Sequence, residues 1–125
     1  MFAARSYQML AVLRIVAALC FMEHGCQKLL GFPALPPGGM PALLSMGGIS
    51  GILELVGGLL VLVGFQTRIV AFLLSGEMAV GYWMIHAPKS FFPTQNGGDA
   101  AILFCFVFLY LVFAGPGAWA IDRRG

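Results

Sequence analysis

Apolar residues run along this chain in four long blocks, each interrupted by one to a few ionisable side chains. The blocks cover about residues 7–30, 43–65, 68–87 and 99–113. None alternates apolar and polar positions as a barrel strand does, so each is read as helix. A hydrocarbon core of about 30 Å takes roughly 20 helical residues, which the first three blocks supply and the fourth approaches. The connections agree with that division. Residues 31–41 hold four prolines and three glycines, a mixture that cannot stay helical because proline removes donors and bars the α region before it. Residues 64–67 give a tight turn, residues 88–98 a second polar loop, and Gly115-Pro116-Gly117 stops the last block.

The second block carries the most pointed pattern. Gly47, Gly51, Glu54 and Gly58 recur at helical spacing and share one face. Glycines there admit a neighbouring helix closely. A carboxylate at that depth costs roughly 2.5 kcal/mol or more unless it finds a partner, a proton or water. Glu54 is therefore expected to face the interior of a bundle. At a rise of 1.5 Å per residue, Glu54 and Glu77 lie about 15 Å from the ends of their helices and Arg14 about 10 Å. One midplane layer of Arg14, Glu54 and Glu77 is expected, with one of the two carboxylates holding a proton. The layer serves as a proton relay or as structural glue that fixes helix register.

A second polar layer is expected near the opposite surface. It takes Glu23, His24, Gln27 and Lys28 from the first block, His86 from the third and Asp99 at the start of the fourth. His24 and His86 on different helices are the minimum for a haem, and nothing else in the pattern supports one. Glu23, His24, His86 and Asp99 do not follow a metal-ligand spacing, so no metal site is expected.

Composition settles the class. Of the 125 residues, 60% are hydrophobic and 10% charged, against about 25% charged in soluble domains. The expected fold is all-α, an integral membrane four-helix bundle in a single domain covering 1–125. The first block is broken by Arg14 and continues past Cys20 to Leu30, so it is read as a retained membrane helix rather than a signal peptide. Cys20, Cys26 and Cys105 form no paired motif and are read as plain thiols. Arg5, Arg68, Arg123 and Arg124 fall at one end, Lys28 and Lys89 at the other, which puts both termini in the cytoplasm. The net charge of +2 gives no reason to expect nucleic acid as a partner.

Several motifs stand together. Arg14, His24-Gly25 and Gln27-Lys28-Leu29 come first, then Glu54 with Gly57-Gly58 and Gly64-Phe65-Gln66-Thr67-Arg68. Glu77-Met78-Ala79, His86, Phe92-Pro93, Asn96-Gly97-Gly98, Gly115-Pro116-Gly117 and Ile121-Asp122 follow. In this order they resemble the DoxX family over nearly the whole chain. Asp99 stands where that family usually has glutamate, and Ala120 where it often has serine. The resemblance implies a four-helix protein of the inner membrane and a link to redox metabolism, because the family includes membrane subunits of quinone-reducing oxidoreductases. On that reading His24, Lys28, His86, Glu23 and Asp99 hold a quinone, while Glu54, Glu77 and Arg14 relay protons. The electrons come from another protein subunit, since nothing here binds flavin or a nicotinamide cofactor. The rival expectation is a non-enzymatic scaffold, embedded in the lipid bilayer and docked to a second subunit or to its own copies.

Overall fold

The computed structural model describes residues 2–32, 34, 39 and 41–122; much of the proline-rich connection and the terminal Arg123 and Arg124 lie outside them. Helix α1 covers Ser6–Leu30, α2 Met46–Val63, α3 Thr67–Gly81, the single-turn α4 Pro93–Asn96, and α5 Asp99–Ala114. Among the described residues there is no strand. Three helical stretches are long and apolar enough to cross a membrane: Ala3–Leu30, Met46–Val63 and Thr67–Lys89. Helix α5 has 16 residues, about 24 Å at the helical rise.

Local chemistry sets the ends. Helix α2 begins at Met46, later than the apolar pattern alone gives, because the Ser45 hydroxyl caps it by accepting from Gly48 N–H at 3.2 Å. Gly31 and Gly64 close α1 and α2 in the left-handed conformation. Helix α3 widens into a π turn over Tyr82–His86, a local expansion common beside functional sites. The loop after it, expected to be irregular, contains α4.

Successive long helices pack antiparallel and close a ring. Gly25 of α1 lies on Gly51 and Leu55 of α2, Met22 on Gly58, and Arg14 beside Leu62. A Cβ on Gly25 would stand 2.7 Å from Leu55 N and 2.9 Å from Gly51 O, so the two backbones meet there only because the residue is glycine. Leu74 of α3 covers Gly57. The Ser75 hydroxyl donates to Cys105 O at 2.8 Å, tying α3 to α5. Phe21 of α1 meets Phe108 of α5 edge to face at 4.9 Å. Ala18, Val61, Ala71 and Leu111 complete this core. Large apolar side chains such as Val16, Leu19, Val56, Leu59, Phe72 and Phe106 point outward, as contact with acyl chains requires. Cys20 is exposed on that outer surface, with Cys26 and Cys105 half-buried, all three as free thiols.

After α5 the chain folds back across one end of the bundle. Gly117, at φ 76°, lies so close to α1 that a Cβ would sit 2.8 Å from Ala11 N. Ala118 N–H donates to Tyr7 O at 3.3 Å, Ile121 N–H to Val63 O at 2.9 Å and Asp122 N–H to Gly64 O at 2.7 Å. Arg68 holds the end of α5 from its side, donating to Val112 O and Phe113 O at 2.8 Å each.

Asp122 caps α3. Its two carboxylate oxygens accept from Gln66 N–H and Thr67 N–H, both at 2.8 Å. Partial burial works against the charge, but these two N–H groups outweigh it and hold the carboxyl below its ordinary value of 3.8. The folded chain thus binds this proton less tightly than the unfolded chain does. The stabilisation is full above about pH 4 and disappears as pH falls through the folded-state value. Asp122→Asn is expected to lose about 1 kcal/mol at neutral pH. In thermal melts across an acid series, its gap from the native chain should close on the acid side.

Candidate functional site

Antiparallel packing of α1 on α2 fixes which polar groups meet. Residue 28 of α1 falls opposite residues 50–51 of α2, and residue 14 opposite residue 62. Glu54 is therefore near Lys28, while the Leu62 level is eight residues, or about 12 Å, farther along α2. Lys28 Nζ lies 2.8 Å from Glu54 Oε2 and donates to Ser50 Oγ at 2.9 Å. Ser50 Oγ is 2.7 Å from Glu54 Oε2 and 2.6 Å from Glu77 Oε2. Helices α1, α2 and α3 thus contribute Lys28, Ser50 with Glu54, and Glu77 to one polar cluster. Glu54 is 2% exposed. Its second oxygen, Oε1, and that of Glu77 are both buried, and the two carboxyls lie within hydrogen-bonding reach of each other.

The hydrogen count of this cluster is constrained. A serine hydroxyl has one hydrogen to give and two lone pairs. Ser50 Oγ accepts from Lys28 and gives its one hydrogen to one carboxyl at a time. The two carboxyls therefore compete for one serine hydrogen.

The expected layer of Arg14 with Glu54 and Glu77 does not form. Arg14, 0% exposed, turns to the returning C-terminal segment. Its guanidinium donates to Pro116 O, to Ala118 O at 3.0 Å, to Trp119 O at 3.1 Å and to Leu62 O at 3.4 Å. Non-helical backbone at membrane depth needs donors for its carbonyls, and Arg14 supplies them. The cation beside the carboxylates is Lys28.

The cluster opens on a cleft of about 830 Å³, lined by Lys28, Ser50, Glu54 and Glu77 and otherwise mostly by apolar side chains such as Phe21, Leu53 and Phe104. His24 and His86 line it as well. The ring of His24 stands edge-on to Phe104 at 5.8 Å. Glu23 and Asp99 do not line it: both are exposed, and Asp99 is the first residue of α5. His86 Nδ1 lies 3.0 Å from the backbone oxygen of Asn96. A carbonyl only accepts, so Nδ1 carries hydrogen, and the other nitrogen of a neutral ring is an acceptor. Asn96, 2% exposed, anchors the loop: its amide donates to Tyr82 Oη at 3.1 Å and Ser90 O at 3.0 Å, and its Oδ1 accepts from Gly98 N–H at 2.8 Å. Among the described residues no group of three or more His, Cys, Asp or Glu side chains is arranged to hold a metal ion.

A helical bundle with an apolar exterior, three membrane-crossing stretches and a cleft holding ionisable side chains defines a multi-pass membrane protein. The DoxX family model matches residues 9–87, and the chain belongs to the DoxX family. It is 44% identical to an uncharacterized protein of Haemophilus influenzae, over 92% of this chain and 89% of the relative. It is 30% identical to an uncharacterized membrane protein of Mycobacterium tuberculosis, over 90% of this chain and 78% of that one. It is 28% identical to the inner membrane protein YphA of Escherichia coli, over 98% of this chain and 94% of that one. No solved structure matches.

Proposed function

We propose that the cleft binds the headgroup of a quinone and exchanges protons with it, as the membrane subunit of a partner oxidoreductase. The observation that carries this reading is the cluster of Lys28, Ser50, Glu54 and Glu77 on the wall of a cleft otherwise lined mostly by apolar side chains. The cleft volume is that of small-molecule sites, about 300–1,000 Å³. A quinone supplies two-electron, two-proton redox chemistry when bound, with electrons delivered by the partner. In this chain Lys28 keeps the buried carboxylate paired, Ser50 links the two carboxyls through one hydrogen-bond path, and Glu54 or Glu77 holds the exchangeable proton. Helix α5 is taken as the fourth span, and both termini as cytoplasmic, with the basic residues at the capped end.

A scaffold role has one observation in its favour. A Cβ on Gly76 or Gly81 of α3 would meet nothing within 4 Å, and both line the same cleft, a space that suits a helix of another subunit or copy as an alternative to a ligand. Glu54→Gln separates the two readings. A quinone subunit is expected to assemble and lose co-purifying quinone, read by mass spectrometry of lipid extracted from the purified protein. A scaffold would lose assembly instead. Extracts of native protein free of quinone would contradict the proposal.

A further inference from the structure

We infer that the cleft opens sideways into the hydrocarbon through a slot between α2 and α3, and that its ligand is a bilayer-dissolved lipophile entering by that slot, not a molecule taken from water. This rests on the reading that the cleft holds a ligand and adds the phase from which the ligand comes. The slot follows from how the two helices separate. On α3, Leu74, Glu77 and Gly81 stand at i, i+3 and i+7 and share the face toward α2. At Leu74 that face is closed, since a Cβ on Gly57 of α2 would stand 2.8 Å from Leu74 Cδ2. At Glu77 the helices are bridged by side chains, with Ser50 Oγ 2.6 Å from Glu77 Oε2. At Gly81 a Cβ would meet nothing within 4 Å. Helix α2 opens in the same direction. Met46, Ser50, Leu53 and Gly57 recur at helical spacing on one face. Gly57 is buried under Leu74, whereas Leu53 is 40% and Met46 62% exposed.

Depth sets what stands outside the slot. Both rims lie within stretches long and apolar enough to cross a membrane, Met46–Val63 and Thr67–Lys89. Leu53 on one rim, and Leu73 and Val80 on the other, line the cleft and are also exposed. The cleft wall is therefore continuous with the outer apolar surface that faces acyl chains. Lys28, Ser50, Glu54 and Glu77 form its polar end. A molecule with one polar end and an apolar body matches both parts, while a hydrated one would shed its water to pass the rims.

The test places a nitroxide label at Gly81→Cys in the full chain, with Cys20, Cys26 and Cys105 replaced by alanine, in phosphatidylcholine vesicles. The empty space at residue 81 admits the label. Collisions with oxygen, which concentrates in hydrocarbon, and with a water-soluble nickel chelate report which phase reaches it. A label at Phe72→Cys, on the outer surface, gives the lipid reference. Oxygen collisions at residue 81 are expected to reach at least about half the rate at residue 72, with chelate collisions as low as there. The native chain gives a second measurement. A benzophenone carried on a long-chain alcohol is expected to label Phe21 and Phe104 on photolysis severalfold more than a water-soluble benzophenone carboxylate does, read by mass spectrometry of the peptides. Chelate collisions above oxygen collisions, or stronger labelling by the carboxylate, would overturn the inference by showing that the cleft fills from water. Exclusion of both quenchers, as a helix of a second copy seated in the slot would cause, would overturn it too. Neither measurement depends on whether quinone co-purifies, so the proposed function stands or falls separately.

Discussion

Arg14→Ala is expected to release the C-terminal segment and cost about 3 kcal/mol or more of stability. The side chain serves the carbonyls of Pro116, Ala118 and Trp119 at once, and each buried acceptor left without a donor costs roughly 1–3 kcal/mol. The residues concerned are not helical, so they have no ladder partner to fall back on. Arg14→Lys should recover only part of the loss, because one ammonium cannot reproduce the planar fork of a guanidinium. Thermal melting in detergent reads the stability, and limited proteolysis reads the freed segment, with cleavage expected after Gly115. Melting and cleavage unchanged from the native chain would show that the segment is held by its packing against α1 alone.

Lys28→Met is expected to have the second largest effect, about 3 kcal/mol. It leaves Glu54 buried without its cation, and breaking a buried pair from one side commonly costs 3–5 kcal/mol. The value falls at the low end because the Lys28 side chain is 32% exposed, so water already screens part of the attraction. Adding Glu54→Gln to Lys28→Met should restore most of the stability, since the stranded charge goes with it. A double-mutant cycle in detergent measures the coupling. A double variant no more stable than Lys28→Met would mean that the two side chains do not act on each other.

Much of the fold is written in the chain because lipid allows so few solutions. A backbone that must satisfy itself in hydrocarbon becomes helical wherever apolar residues run on, and glycine with proline marks the stops. The inward face of α2 was equally legible, since Gly51, Glu54 and Gly58 repeat at helical spacing. Ser50 stands four residues before Glu54 on the same face, yet the pattern does not single it out. A small hydroxyl in an apolar run carries no visible cost. The partner of Glu54 is illegible in the sequence for a different reason. Depth along separate helices made Arg14 look close, but the register of α1 on α2 is set by Gly25 meeting Gly51, and that register brings Lys28 to the carboxylate. The true partners of Arg14 are backbone carbonyls, which no side-chain pattern announces. The same holds for His86, whose donating nitrogen is committed to a main-chain oxygen.

The central claim is that Lys28, Ser50, Glu54 and Glu77 share one exchangeable proton at the wall of a ligand cleft. Infrared difference spectroscopy on full-length protein carrying isotope-labelled glutamate tests it most directly. The account predicts a protonated-carboxyl stretch at neutral pH that shifts when a quinone is added and is absent from the Glu54→Gln, Glu77→Gln double variant. A native spectrum with no such band, or a band indifferent to ligand, would contradict it.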